Sequence, residues 1–244
     1  MSGHSKWNNI KGRKEKSDAE RSKIFTKIGR EIMVAVKEGG PNIDSNSKLK
    51  MAIAKARQYN MPNDRINGII KKNSEVDNSN FVEQTYEGYG VGGVAVVVKC
   101  FTDNKNRTSS DVKYAFDKYG GSLGSSGCVS YLFTSRGEIV IEKGENFDSD
   151  KAMELAINLN AVDCIDDEVF TVITEPNASS VNEVVTAFES EGYTILSSGV
   201  EMVASNYIKL SDSQRETFNK MLDKLNESDD VIDIIHNLEE EDDE

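Results

Sequence analysis

Apolar residues recur at helical spacing through the first third of the chain. They stand four positions apart at Ile24, Ile28, Ile32 and Val36. Ser17 can cap the start of this helix, and the run ends at the Gly-Gly-Pro sequence of residues 39–41. The same pattern predicts a second helix over residues 47–60 and a third over residues 62–72. Because short amphipathic helices bury their apolar faces by packing together, we predict a three-helix bundle.

Beyond residue 80 the pattern changes to short apolar runs that alternate with amphipathic segments. Predicted strands cover residues 94–101, 129–133, 138–141, 162–165, 169–174, 194–203, 207–210 and 231–235, and predicted helices cover residues 108–119, 150–160, 181–191 and 213–226. The middle part is a complete βαββαβ set, and the elements on either side of it complete another. We therefore predict an α+β fold, in which the N-terminal three-helix bundle is followed by two ferredoxin-like α/β domains, the second inserted into the first.

The domain boundaries are predicted from these elements and from a length of 244 residues, since a single core usually spans roughly 100–150 residues. The basic arm and the bundle occupy residues 1–77. The split ferredoxin-like domain combines residues 80–135 with residues 204–238, and the inserted domain is residues 136–203. The acidic tail, residues 239–244, is predicted to be disordered.

Charge is distributed unevenly along the chain. Residues 1–72 hold 17 Lys and Arg against 7 Asp and Glu, a net charge of +10, whereas residues 73–244 hold 12 against 35, a net charge of −23. A basic end on an acidic protein is typical of a polyanion-binding module, with the acidic part limiting non-specific contacts or facing a basic protein. The alternative is a solvated basic surface without a partner.

The basic residues form the candidate nucleic-acid-binding set. The polar arm carries His4, Lys6, Trp7, Lys11, Arg13, Lys14 and Lys16. The first helix is predicted to carry a stripe of Lys23, Lys27, Arg30 and Lys37, and the second to point Lys48 and Lys55 outward. Such cations pair with phosphates, and Trp7 either stacks on a base or packs on the bundle.

Two further positions leave alternatives open. Lys105 and Arg107 precede a helix predicted to start at Thr108. They either hold a backbone phosphate at the helix N-terminus or stand beside ordinary capping by Thr108 or Ser109. The glycine-rich residues 120–127 form either a second backbone contact or a long turn.

Catalytic and metal-binding patterns are absent from the sequence. The chain has two histidines, His4 and His236, and its three widely spaced cysteines are predicted to be reduced thiols. Residues 88–93 read Gly-Tyr-Gly-Val-Gly-Gly, but they precede a strand, whereas a dinucleotide loop follows one and opens a helix. We therefore predict a flexible lead-in to the second domain there, and no enzymatic activity, cofactor or metal. A cytoplasmic location without a membrane partner is expected, because the polar N-terminus is no secretory signal and no apolar run reaches the ~20 residues of a membrane span.

Several motifs resemble those of the YebC/PmpR family, whose members are often described as probable transcriptional regulators. They are Gly-His-Ser-Lys-Trp at residues 3–7, Lys-Ile-Phe-Thr-Lys at 23–27, Asn-Met-Pro at 60–62, Tyr-Glu-Gly-Tyr-Gly at 86–90, Thr-Asp-Asn-Lys-Asn-Arg-Thr at 102–108 and Gly-Gly-Ser-Leu-Gly at 120–124. The resemblance implies a helical bundle with two α/β domains. It also implies a role on promoter DNA or, as in bacterial and mitochondrial relatives, in translation on the ribosome.

The sequence therefore predicts a nucleic-acid-binding regulator of gene expression, most directly a DNA-binding transcriptional regulatory protein of YebC/PmpR type. The alternative is a ribosome-associated translation factor that contacts ribosomal RNA or tRNA. A lysine-rich stripe favours phosphates over base edges and so does not choose DNA over RNA. A small-ligand sensor is a lower alternative, because ferredoxin-like domains often bind metabolites between them.

Overall fold

The computed structural model describes residues 18–75 and 80–239. Three helices open the described chain: α1 (Asp18–Gly39), α2 (Ser47–Gln58) and α3 (Asn63–Glu75). Their apolar faces share one core, whose buried members include Ile28, Ile32, Leu49, Ile53 and Ile66. The three predicted helices are therefore present, and α3 continues beyond residue 72, where the sequence pattern ended it.

One buried side chain holds the turn between α1 and α2. The side-chain oxygen of Asn46 accepts a hydrogen bond from the Leu49 backbone nitrogen at 3.0 Å and so caps α2. Its amide nitrogen donates to the carbonyl oxygens of Ala35 at 2.7 Å and Gly40 at 2.8 Å. A Cβ on Gly39 would lie 2.7 Å from the Asn46 amide, so this close approach requires glycine. These contacts set the angle at which α2 returns along α1.

The rest of the described chain forms strands and helices in alternation. They are β1 (Val82–Tyr89), β2 (Ala95–Thr102), α4 (Lys105–Lys118), β3 (Ser122–Leu123), β4 (Phe133–Ile141), α5 (Ser149–Asn158), β5 (Asp163–Asp166), β6 (Phe170–Thr174), α6 (Ala178–Ser190), β7 (Ile195–Ala204), α7 (Asp212–Asn226) and β8 (Val231–His236). The strands make two four-stranded antiparallel sheets, sheet A in the order β3-β1-β2-β8 and sheet B in the order β5-β6-β4-β7. The protein is therefore a mixed α+β fold.

Each sheet has its own apolar core. Side chains of α4 and α7, including Phe116 and Phe218, pack on sheet A. Side chains of α5 and α6, including Ala152 and Phe188, pack on sheet B. Strands β4 to β7 of sheet B fall between β3 and β8 of sheet A in the sequence. The predicted boundaries of separate domains, with one inserted into the other, stay a prediction.

Two predicted strands are wrong, and two observed strands, β1 and the two-residue β3, are absent from the prediction. Residues 130–132 of the predicted strand 129–133 form a 3-10 turn, after which β4 begins. Residues 207–210 contribute a single bridge, from Ile208 to Leu238. The place beside β2 in sheet A belongs instead to β1. The glycines and the carboxylate near the end of β1 hid its alternation of exposed and buried side chains.

The bundle contacts both sheet units. Met51 of α2 packs against the apolar core of sheet B. The side-chain amide of Asn182 in α6 donates to the Ser47 carbonyl at 2.9 Å, and Lys50 lies 3.3 Å from the Thr186 hydroxyl. Toward sheet A the contacts come from the basic residues of α1, so the fold and the candidate site meet at that surface.

Candidate nucleic-acid interface

Arg30, in the middle of the predicted basic stripe of α1, faces sheet A. Its guanidinium pairs with the carboxylate of Asp230 at 3.0 Å and donates to the Phe101 carbonyl oxygen at 2.8 Å. It also lies 5.5 Å from the centre of the Phe81 ring, within cation–π range. The side chain is 17% exposed, and its charge is satisfied inside the chain.

Two further lysines of the stripe make contacts to the same side. Lys27 donates to the side-chain oxygen of Asn226, and Lys37 donates to the carbonyl oxygen of Phe81. Burial lowers the pKa of Lys27, and the nearby charge of Asp233 opposes this only in part. In this conformation the predicted stripe joins the bundle to sheet A over most of its length. Its role toward nucleic acid stays a prediction.

The carboxylate of Asp230 collects four side chains, and we call this set the Asp230 junction. Besides Arg30, it accepts hydrogen bonds from Arg107 at 2.8 Å, Thr108 at 2.9 Å and Thr102 at 3.0 Å. Burial by itself raises the pKa of Asp230, but the hydrogen bonds from Arg107 and the two threonines and the charge of Arg30 outweigh it. The pKa is therefore lower than the ordinary value. The junction ties α1, β2 and α4 to the residue just before β8.

The start of α4 differs from the prediction. The helix begins at Lys105 and is capped by Asn104, whose side-chain oxygen accepts from the Arg107 backbone nitrogen at 3.1 Å. Capping by Thr108 or its neighbour is therefore wrong, because the Thr108 hydroxyl lies in the Asp230 junction. Lys105 is exposed, while Arg107 is paired within the junction. Both cations therefore lie in the first turn of α4, and Arg107, although half exposed, pairs with Asp103 and Asp230.

The predicted outward lysines of α2 are paired with acidic residues of α1. Lys48 lies 2.5 Å from the Glu38 carboxylate, and Lys55 lies 2.7 Å from that of Glu31. Burial raises the pKa of Glu31, with Lys55 opposing. Burial would lower the pKa of Lys55, but the charge and hydrogen bond of Glu31 outweigh it and raise the pKa. These pairs place α2 antiparallel to α1.

Four exposed cations lie in the first two turns of α1, the last turn of α2 and the first turn of α3. Because Lys55 pairs with Glu31, the last turn of the antiparallel α2 lies beside the middle of α1, and α3 begins after the short turn that follows. The guanidinium of Arg65 accordingly lies 5.2 Å from the centre of the Phe25 ring. The exposed basic residues here are Arg21, Lys23, Arg57 and Arg65, which we call the tip cluster.

The sequence-based set contains Lys23 of this cluster and lacks the three arginines. Arg57 and Arg65 flank the turn at residues 60–62, in which the buried Met61 donates its backbone N–H to the Ala56 carbonyl at 2.9 Å. An arginine three residues before Asn60 and another three after Pro62 were the available signal. The predicted arm residues His4, Lys6, Trp7, Lys11, Arg13, Lys14 and Lys16 lie outside the described residues.

The first glycine-rich segment, residues 88–93, is a packed turn. A Cβ on Gly88 would lie 2.5 Å from the Ser122 carbonyl oxygen, and one on Gly90 would lie 2.8 Å from the Phe218 ring. Gly92 has a left-handed φ of 69° inside a 3-10 turn. The prediction of a flexible lead-in is therefore wrong, because close packing demands these glycines.

The second glycine-rich segment, residues 120–127, is held by a buried carboxylate. Glu87 accepts hydrogen bonds from the backbone nitrogens of Gly127 at 2.8 Å, Ser130 at 2.9 Å and Val129 at 3.0 Å. Burial raises the pKa of Glu87, but these three bonds outweigh it, so the pKa is below its ordinary value. The segment contains the short strand β3 and ends in a turn anchored by Glu87, and the alternative of a backbone contact to nucleic acid stays a prediction.

The described ranges, 18–75 and 80–239, hold neither a metal-binding cluster nor a membrane-spanning helix. Within them no group of three or more His, Cys, Asp or Glu side chains is placed to hold a metal ion. None of the helices in these ranges is both long and apolar enough to cross a membrane.

Fold and site together define an α+β protein in which a helical module with exposed cations contacts two antiparallel sheet units, one through the Arg30–Asp230 ion pair and the other through hydrogen bonds and apolar packing. Residues 5–76 match the family described as TACO1/YebC protein N-terminal domain, and residues 81–238 match the TACO1/YebC second and third domain. The chain therefore belongs to the TACO1/YebC family, and the resemblance to YebC/PmpR proteins is confirmed.

Individual relatives agree with this membership over nearly the whole chain. Probable transcriptional regulatory proteins of Clostridium acetobutylicum and Clostridium tetani are 50% and 49% identical over 242 and 241 residues, which is 98% of this chain and 97% of each relative. The crystal structure of a conserved hypothetical protein from Aquifex aeolicus is similar, with a TM-score of 0.77 and 39% identity over 92% of both chains. The names of the curated relatives support a regulator as the general class.

Proposed function

We propose that this protein is a nucleic-acid-binding regulator of gene expression, most directly a DNA-binding transcriptional regulator acting in the cytoplasm. The tip cluster and the basic residues that precede α1 hold backbone phosphates. The two sheet units carry and orient the bundle. The relatives named as probable transcriptional regulatory proteins support the assignment to transcription. The proposal contains no catalytic step.

The location of the bundle's cations carries the proposal. Lys27, Arg30 and Lys55 have acceptors inside the chain, whereas the tip cluster is exposed and begins in the first two turns of α1, next to the basic residues 1–17. Exposed Lys and Arg on a rigid support supply the salt-dependent, sequence-independent part of nucleic-acid affinity. The acidic remainder of the chain, with a net charge of −23, repels a polyanion that approaches elsewhere.

A ribosome-associated translation factor that contacts ribosomal RNA or tRNA is the second candidate. It is favoured by the composition of the tip cluster, which is Arg and Lys alone. These side chains bind the phosphates of either nucleic acid, whereas reading a DNA sequence in the major groove also draws on Asn and Gln.

The deciding experiment is ultraviolet cross-linking in intact cells, followed by sequencing of both the DNA and the RNA recovered with the protein. Discrete promoter fragments would establish the transcriptional regulator. Ribosomal RNA or tRNA positions would move the function to translation. Recovery of neither above the background of an untagged strain would refute a nucleic-acid-binding function.

A purified-protein experiment tests the assignment to the tip cluster. The triple variant Arg21→Glu, Lys23→Glu and Arg57→Glu should strongly weaken binding to duplex DNA and to RNA, since each reversal replaces attraction to phosphate by repulsion. Lys27 and Arg30 are left unchanged because their reversal would break contacts to Asn226 and Asp230. The control is Lys151→Glu, at a lysine that is 77% exposed on the sheet B unit. Equal affinities of the triple variant and the control would disprove the site.

A further inference from the structure

Helix α3 turns one side to the bundle and the other to solvent. Ile66 is buried, and Ile69 and Ile70 pack on the bundle core. With about 100° of rotation per residue, Asp64 and Gly68 lie one turn apart on the opposite side of the helix. Exposed cations surround this glycine: Arg65 lies one turn before it, and Lys71 and Lys72 lie one turn after it. The described packing of α3 is against α1 and, to a smaller extent, α2.

Gly68 lowers the stability of this helix, and no close packing contact at this position requires a glycine. Glycine in an exposed helix interior is less favourable than alanine, because its backbone loses more conformational freedom on folding. Gly68 lies within α3 and is not among the residues with positive φ. A Cβ at Gly68 would meet no atom within 4 Å. By contrast, a Cβ on Gly29 of α1 would lie 3.2 Å from Ile69, so that glycine allows the two helices to approach.

A glycine that the fold does not require is consistent with a surface where the backbone of a binding partner approaches the helix closely. The three cations around Gly68 select a polyanion as that partner. Asp64 is also exposed one turn before Gly68, and it lies in the first turn of α3, where the helix dipole favours a negative charge. Arg65 also belongs to the tip cluster, so the side of α3 around Gly68 continues the surface of the proposed function.

We propose that the sugar-phosphate backbone of a nucleic acid lies across α3 at Gly68, with Arg65, Lys71 and Lys72 on its phosphates. This inference rests on the proposed function and adds the point of closest approach. The absence of a side chain lets the helix backbone come near the strand, and the three cations then reach phosphates on either side. Duplex DNA and RNA share this chemistry, and separate binding assays distinguish them.

The test measures the affinity of the full chain for a fluorescent 20-base-pair DNA duplex and for a structured RNA of similar length. Gly68→Gln should weaken binding roughly tenfold, the loss expected when one or two phosphate contacts are displaced. Gly144→Gln is the matched control, because Gly144 is also exposed with no atom within 4 Å of a Cβ and lies on the sheet B unit. It should bind like the unmodified chain.

A second variant separates binding from folding. Gly68→Ala should raise the midpoint of thermal unfolding by roughly 2–4 °C, because alanine favours the helix, and yet weaken binding. Lys71→Gln and Lys72→Gln should each reduce the slope of log affinity against log salt by about 0.9 on duplex DNA or about 0.7 on single strands. A more stable protein that binds less well has no explanation in misfolding.

The outcomes separate this inference from the proposed function. Equal affinities of Gly68→Gln and Gly144→Gln for both nucleic acids would overturn the inference, while the proposed function would stand if reversal of the tip cluster still weakened binding strongly. Failure of the unmodified chain to bind either nucleic acid would overturn both. A loss confined to the duplex supports the inference with DNA as the partner, and a loss confined to RNA supports it with RNA.

Discussion

Removing the carboxylate of the Asp230 junction should be among the most damaging single changes in the chain. In Asp230→Ala the guanidinium of Arg30, which is 17% exposed, loses the partner that lies 3.0 Å away. Removing one member of a buried ion pair costs roughly 3–5 kcal/mol, because the remaining charge is left without solvent or partner. Thr102 and Thr108 still bond to each other at 2.8 Å, and Arg30 keeps some water. We therefore expect the lower end, about 3 kcal/mol.

Urea unfolding followed by circular dichroism measures this loss. With a slope of about 3 kcal/mol per molar urea, the midpoint should fall by about 1 M. Asp229→Ala is the matched control, because Asp229 is exposed one position earlier, and its effect should stay within about 0.5 kcal/mol. A double-mutant cycle with Arg30→Leu should give a coupling energy of at least about 1 kcal/mol. Equal midpoints for Asp230→Ala and Asp229→Ala would refute the reasoning.

The ion pair of Asp230 and Arg30 also predicts how the destabilisation by Asp230→Ala depends on pH. The folded-state pKa of Asp230 is lower than its ordinary value of 3.8. A carboxylate of this kind contributes its stability fully above the unfolded-state pKa and loses it as the pH falls through the folded-state pKa. The destabilisation by Asp230→Ala should therefore be constant from pH 7 to about pH 5 and shrink below about pH 4. A difference that stays constant in acid would contradict the ionic character of the junction.

Three other residues give independent predictions. Glu87→Gln should lower the free energy of unfolding, measured in urea, by about 2 kcal/mol, because an amide nitrogen then faces backbone N–H donors. Glu83→Gln, at an exposed position of β1, should lower it far less. Similar losses for the two variants would argue against the anchored turn. Burial raises the pKa of the Cys100 thiol to about 12. Iodoacetamide at pH 8 should therefore leave this thiol unlabelled in the folded protein and label it in urea, as measured by mass spectrometry. Rapid labelling of the folded protein would contradict the burial of Cys100. Burial and then the charge of Arg215 lower the pKa of His236 to about 4, so the folded state should lose up to about 3 kcal/mol as the pH falls from 6.5 to 4. His236→Phe should melt with a weaker pH dependence over that range, and identical dependences would exclude this histidine as the cause.

The spacing of apolar residues along the chain was sufficient to predict those helices and strands whose own residues show a regular periodicity. The isoleucines of α1 and the Pro at the start of α3 were enough to predict both helices, because a helix that is buried on one side has apolar residues spaced three or four positions apart. Strand β1 left no such clear mark. The carboxylate of Glu87 can be buried because it accepts hydrogen bonds from backbone N–H groups 40 and 42 positions later in the chain. The spacing of apolar residues within β1 does not reveal partners that are so distant in sequence.

The candidate site shows the same division. Exposed Lys23 could be chosen from its sequence, whereas the intramolecular acceptor of Arg30 could not. The acceptor that decides its environment, Asp230, belongs to the far end of the chain. Arg65 comes near Phe25, two positions from Lys23, only because α2 returns antiparallel to α1 and α3 follows it.

By itself the sequence determined the basic N-terminal and acidic C-terminal parts, the helical character of the first and the alternating strands and helices of the second. These properties depend on residue type and on spacings of two to four positions. Only the tertiary structure decided which strand stands beside β2, and which cations are satisfied within the chain and which are exposed. Those choices depend on contacts such as that between Lys27 and Asn226, 199 positions apart, which form only when the cores of the bundle and sheet A have packed.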